Sequence, residues 1–473
     1  MTTGTNFWDS SVWNFVIVLT VLLCGMMIAN ILRRVITPLR RSMIPSSVLG
    51  GFLVLIVGWI YKKITGNPML DIRTLEALTY HGLGLGFVAM SLKTTEREKD
   101  PHRQRDIFNT GLTTVAGYLL QAIAGIAITI GLSYAMDVFP AAGLLLPMGY
   151  GQGPGQCYNW GHNYEMNYGF ANGTSFGLTV AAAGFIAASI GGIIYLNVLR
   201  RRGRFSGETG SDVDDMHLTA QHITGNGEIP LSESMDKLTV QVALVFIAYI
   251  AAYAFMYGIN AIIDTGILGN FGVNTVQPLI WGFNFLFGTV FAILLKTILR
   301  GFKKANVIKR EYTNNFMQSR IAGFMFDIMV VASIAAIDLH AFTIKEFIIP
   351  LSLICVVGGV VTYLLLRFTC RRLFPEYEDE AWLSMYGMLT GTASTGVILL
   401  RERDPGFETP AANNLVYQQL WAIVFGFPML LLLAVAPQGT GKSWLTLGLL
   451  VLLFIAIEII SFRSFIFKKR KKK

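Results

Sequence analysis

Phe176-Gly-Leu-Thr-Val-Ala-Ala-Ala-Gly-Phe-Ile-Ala-Ala-Ser-Ile-Gly-Gly-Ile-Ile-Tyr-Leu-Asn-Val-Leu199 carries no charged residue over its whole length. Coiled as a helix it spans about 36 Å, more than the ~30 Å of a bilayer's hydrocarbon core. Stretches of the same kind recur at Ser11 to Leu32, Ile107 to Ala135 and Phe347 to Leu366. None alternates polar and apolar residues in the ten-residue segments of a membrane barrel. In lipid the backbone must satisfy its own hydrogen bonds, so unbroken apolar runs predict a helical bundle. The composition of the 473-residue chain agrees, with 53% hydrophobic and only 14% charged side chains against the roughly 25% charge of a soluble domain.

The formal charge of +9 does not point to nucleic acid, because the Lys and Arg residues lie in short clusters between apolar segments. Such clusters report topology. Apolar runs predict about eleven transmembrane helices, at about 11–32, 46–61, 74–92, 107–135, 172–199, 238–263, 274–296, 320–338, 347–367, 415–434 and 443–463. Two further pieces are too interrupted to span: 140–165, broken by Pro147, Pro154 and Gly149, Gly151, Gly153 and Gly155, and 381–400, broken by Gly387, Gly391 and Gly396. With these as re-entrant hairpins, Arg33 to Arg41, Lys93 to Arg105, Arg200 to Arg204, Lys296 to Arg320, Arg367 to Arg372 and the tail Lys468 to Lys473 fall on one side. The positive-inside rule makes that side the cytoplasm, with the N-terminus outside and the C-terminus inside. The tail suits anionic headgroups of the bilayer.

Each half then reads as four helices, a glycine-broken hairpin and a fifth helix. An odd number of crossings per half inverts the second half relative to the first, as in many inverted-repeat membrane proteins. The expected fold is all-α: a first repeat over 1–202, a cytoplasmic linker over 203–237, a second repeat over 238–435, and an extra helix with a basic tail over 436–473.

The chemistry concentrates in the two hairpins. Pro147-Met-Gly-Tyr-Gly-Gln-Gly-Pro-Gly-Gln156 combines glycines, which admit unusual backbone conformations, with Gln152 and Gln156. Backbone amides and carbonyls that leave a helix at membrane depth line a cavity or pack into protein. Gly387-Met-Leu-Thr-Gly-Thr-Ala-Ser-Thr-Gly396 occupies the equivalent slot and offers Thr390, Thr392, Ser394 and Thr395 hydroxyls. Asp327 sits within Phe324-Met-Phe-Asp-Ile-Met-Val-Val331, where a carboxylate either holds a cation or proton or makes a structural hydrogen bond. His81 lies near the equivalent position of the first half. Arg401 follows the second hairpin, where its guanidinium fork either clamps a carboxylate or pins topology together with Glu402, Arg403 and Asp404.

Several functions find no support in these residues. Ala436-Pro-Gln-Gly-Thr-Gly-Lys-Ser443 matches a relaxed phosphate-loop pattern but joins two apolar runs instead of following a strand. There is no HExxH motif and no Ser/His/Asp set, so an enzyme is not expected. Cys24, Cys157, Cys355 and Cys370 have no zinc or disulfide spacing. A channel needs no inverted halves.

Tyr168-Gly-Phe-Ala-Asn-Gly-Thr-Ser-Phe-Gly-Leu178, the later Ile190-Gly-Gly192 and the early Ile44-Pro-Ser-Ser-Val-Leu-Gly-Gly51 resemble the corresponding regions of the bacterial sodium/glutamate symporters. The five-plus-five arrangement is similar too, over about residues 10 to 435. The resemblance implies a multi-pass protein of the bacterial inner membrane that takes up glutamate or a related small anionic or zwitterionic solute with sodium as the coupling ion. It implies a substrate site at 149–156 and 387–396 (Gly149, Gly151, Gln152, Gly153, Gly155, Gln156, Thr390, Thr392, Ser394 and Thr395), and a dimer built on the helices away from that site. Arg401 would join the substrate site and Asp327 the ion, with no other cofactor. The tips depart from the family: Gly149-Tyr-Gly-Gln-Gly153 replaces a Gly-Gly-containing first tip, and threonines replace a His- and Gly-rich second one. Another organic anion coupled to protons through Asp327 is the alternative.

Overall fold

The computed structural model describes residues 6–94, 100–204, 236–404 and 408–463, and every regular element among them is a helix. The long helices are α1 (Ser10–Val35), α2 (Ser46–Thr65), α3 (Ile72–Leu92) and α4 (Pro101–Ser133). The first hairpin follows as α5 (Leu145–Gly151) and α6 (Pro154–Tyr168), then α7 (Gly173–Arg201), α8 (Lys237–Asp264), α9 (Asn284–Lys304), α10 (Asn315–Ala335) and α11 (Lys345–Leu373). The second hairpin is α12 (Glu378–Thr390) and α13 (Ala393–Arg401), followed by α14 (Gln419–Val435) and α15 (Thr440–Ser461). Nearly all of the expected linker, and the basic tail, lie outside the described residues.

Ten helices among the described residues are long and apolar enough to cross a membrane, as befits a multi-pass membrane protein. The expected count of about eleven is reduced by α3. It is 21 residues long and lies where a span was expected, but Arg73, Glu76, His81 and its small residues make it less apolar than the ten. The span expected over 274–296 begins only at Asn284. Residues before it form short turns, with Pro278 in the first turn of Gln277–Gly282 and a break at Phe283.

The chain divides into two compact units, one of residues 1–23, 70–97 and 213–333, the other of 24–69, 98–212 and 334–473. In the first, α3, α8, α9 and α10 meet through Leu85, Val88, Val245, Ala248, Ala292 and Ile321. Glycines set how closely they approach, as is usual between membrane helices. A Cβ on Gly86 would strike the Phe326 ring, and one on Gly82 would stand 3.1 Å from the Met325 carbonyl. Lys296 of α9 donates to the carbonyls of Ser91 and Lys93 at 2.7 Å each, which satisfies acceptors left over at the end of α3.

The second unit gathers both hairpins with the helices before and after each: α4 and α7 around the first, α11 and α14 around the second. Its axis is α4, packed against α11, α14 and α15. The second hairpin closes on glycine, since a Cβ on Gly387 of α12 would lie 2.6 Å from the Cα of Gly396 in α13. The segment Ala436 to Ser443 is a turn between α14 and α15, and its Ser443 hydroxyl donates to the Ala436 carbonyl at 2.8 Å.

Candidate functional site: two broken helices

Each hairpin interrupts its helix at a residue that only unusual backbone geometry allows. Gly153 has φ +86° and ψ −179°, a region essentially confined to glycine, and Pro154 then starts α6 with its preset φ. In the second hairpin Gly391 leaves the helix at φ −136° and ψ −103°, Thr392 is extended at φ −143° and ψ 170°, and α13 starts at Ala393. A break of this kind exposes two kinds of backbone group: the carbonyl end of the arm before it and the amide end of the arm after it.

The two breaks lie together. A Cβ built on Gly153 would be 3.5 Å from Cγ2 of Thr392, ordinary van der Waals contact. Neither amide end has a side-chain cap. Gly153 has no side chain to offer, and the Thr392 hydroxyl lies 3.3 Å from Thr395 Oγ1 instead of bonding a backbone amide. Two uncapped helix N-termini thus present their first N–H groups and the positive ends of their dipoles in one place, each equivalent to roughly half a unit charge.

Helices α4 and α7 hold the tips. Tyr118 of α4 donates to the Gly151 carbonyl at 3.2 Å, and Gln121, one turn on, donates through Nε2 to the Leu389 carbonyl and to Thr362 Oγ1, both at 2.8 Å. On α7, Val180 and Ala181 crowd Gly149, while Gly184 lies against the Thr390 carbonyl and the Tyr150 ring. The Tyr150 hydroxyl reaches the Cys355 carbonyl of α11 at 2.6 Å.

The side chains at the tips fall into two classes. Thr390 and Thr395 are buried, and Thr390 Oγ1 donates to the Tyr386 carbonyl at 2.6 Å, an intrahelical bond that removes it from the group of open donors. Gln152 and Thr392 are half-buried and Ser394 is exposed, so the junction has an open side. Gln156 differs from all of these. It is 1% exposed, and neither its Oε1 nor its Nε2 has a hydrogen-bond partner. A buried amide with both ends unbonded costs stability, and both its donor and its acceptor are open to a bound group. Gly149 and Gly151 contribute backbone and close packing, and Gly155 is buried in the first turn of α6.

Arg401 is the last residue of α13 and exposed, about 12 Å along the helix axis from Ala393, so it stands at the far end from the tips. Asp327 belongs to the first unit and its side chain is exposed there. His81 is also in the first unit. Its Nδ1 is 3.0 Å from the Tyr249 hydroxyl, and it lines a groove of about 290 Å³ with Tyr80, Tyr253 and Trp281. Among the described residues, no group of three His, Cys, Asp or Glu side chains could hold a metal ion.

Sequence reading did not single out Tyr118 and Gln121, which look like ordinary members of an apolar helix. It also passed over the base of the second hairpin, where buried Asp379 accepts from the Tyr195 hydroxyl at 2.8 Å and pairs with Arg204 at 3.1 Å. Arg204 also pairs with Glu378 at 2.7 Å, and Tyr195, Trp382 and Tyr386 stack in series beside them. No protein-family model matches this chain, and no curated protein matches it either.

Proposed function

We propose that the chain is a secondary active transporter whose solute binds where the two broken helices meet. One observation carries the reading: two uncapped helix N-termini converge, and the first turn of one of them carries Gln156, a buried amide with no partner of its own. Amide ends and their dipoles favour an anionic group, and the unbonded Gln156 amide supplies one further donor and one acceptor. The carbonyl ends of α5 and α12 at the same junction favour a cation, so an anionic or zwitterionic solute and a cation fit side by side. In secondary transporters built on broken helices, irregular backbone at membrane depth forms the transport site, and the two breaks offer such backbone.

On this reading, and on the resemblance of Tyr168 to Leu178, the process is sodium-coupled symport of glutamate or a related small organic anion by alternating access in the bacterial inner membrane. The N-terminus is outside and the C-terminus cytoplasmic, and the two hairpins are re-entrant members of inverted repeats. Asp327 is proposed as a contributor to cation coupling. Uptake of radiolabelled glutamate and other small carboxylates into vesicles, with and without an imposed sodium gradient, is the test. Gradient-dependent accumulation that is lost in Gln156→Leu supports the reading, and accumulation of no carboxylate under either condition rejects it.

A further inference from the structure

Tyr118 and Gln121 lie three residues apart, on the same face of one turn of α4. They bond equivalent groups in the two hairpins, each the carbonyl end of the arm before the break: Gly151 of α5 and Leu389 of α12. The turn is wedged as well as bonded. A Cβ on Gly151 would strike the Tyr118 ring, and one on Gly117 would stand 2.7 Å from Leu389 Cδ1. Both side chains are buried, Gln121 completely at 0% exposure, so water does not compete for these bonds. Gln121 Nε2 also donates to Thr362 of α11, the helix that leads into the second hairpin. Its Oε1 has no partner. The amide's orientation is therefore set by its two donated bonds, both to elements of the second hairpin's half of the chain.

We propose that this turn of α4 is a positioning element for both tips, with Gln121 the residue that ties the second hairpin's break to the first. The inference rests on the reading of the tips as the solute site, but its physical content is separate. If Gln121 loses its donor, the Leu389 carbonyl is released and the start of α13 is free to move away from Gly153, although nothing at either tip has been altered. A space-filling role predicts otherwise, because leucine occupies nearly the same volume as glutamine and would keep the tips in place.

The test uses the full-length chain in proteoliposomes, with its four native cysteines replaced and nitroxide labels at Gln152→Cys and Ser394→Cys. Dipolar broadening between the labels reports the separation of the tips and needs no transported solute. With Gln121 present, strong broadening is expected. Gln121→Leu should remove more than half of it, and Tyr118→Phe, which deletes one hydroxyl and no volume, should remove a smaller part. In unlabelled protein, Gln121→Leu should raise KM for a transported carboxylate at least fivefold and leave Vmax within twofold. Broadening unchanged in both variants, each still folded by its melting transition, overturns the proposal. So does a fall in Vmax with KM unmoved. Absence of any transport counts against the transport reading alone, and the spectra then decide this one.

Discussion

Replacing Gln156 by leucine is expected to stabilise the protein and weaken its binding of solute together. The two side chains have similar volume, so the substitution leaves no cavity and forces no overpacking. What changes is the amide, whose Oε1 and Nε2 are both buried and unbonded. An unsatisfied buried polar group costs about 1–3 kcal/mol, so its removal should stabilise the resting protein by about 1–3 kcal/mol, with the same sign for either atom. For this unit of about 300 residues that corresponds to a rise in melting temperature of about 2–5 °C. A hydrogen bond to a charged solute group is worth about 1.5–3 kcal/mol, so the loss should raise KM by a factor of about 10 to 150. Thermal unfolding in detergent followed by size exclusion reads the first quantity, and initial uptake rates in proteoliposomes read the second. A Gln156→Leu variant destabilised by more than about 1 kcal/mol would show that the amide is bonded in the resting protein, and would refute the reasoning.

The remaining predictions concern the frame around the site. Gly387→Ala places a methyl group 2.6 Å from the Cα of Gly396, a backbone atom that cannot swing aside, so the arms of the second hairpin must part. The cost should reach about 3 kcal/mol, seen as a lowered melting temperature in a chain that still inserts. Asp379→Asn leaves Tyr195 without its carboxylate acceptor and breaks the ion pair with Arg204; a loss of about 1–3 kcal/mol is expected, moderated because Arg204 can turn to water. Asp71 caps α3 by accepting from the Thr74 amide at 3.1 Å and hydroxyl at 2.6 Å, and the hydroxyl bond is the main cause that holds its carboxyl below the ordinary 3.8. A carboxyl depressed in the folded state stabilises fully above its ordinary value and loses that contribution as pH falls through the depressed one. Asp71→Ala should therefore cost about 1 kcal/mol at neutral pH, and the difference from wild type should vanish on acidification below pH 3.8, measured by melting across the pH range.

The contrast between what the sequence discloses and what it hides follows from the range of the forces involved. Helices in lipid are legible because spanning requires an uninterrupted apolar run, a local property, and ten of the eleven expected spans are helices close to their expected limits. Breaks in those runs are local too: Gly153 can adopt φ +86° because of its own missing side chain, and Pro154 marks the restart. Both 149–156 and 387–396 are therefore legible in the sequence as breaks. The ligands that hold them are not local. Gln121 meets Leu389 across 268 residues of sequence, and Tyr150 meets Cys355 across 205, in each case through a carbonyl that every residue possesses. A backbone acceptor leaves no trace in residue identity, so Tyr118 and Gln121 read as interior members of α4. Formal charge does not mark the breaks. Arg401 and Asp327 are ionisable residues beside or inside apolar runs, and both side chains are exposed in their own units, while the two breaks are lined by amides, hydroxyls and backbone. The neutral amide of Gln156, three residues past the break at Gly153, is left unbonded by the fold, and that want of a partner is a property of the packing that residue identity does not carry.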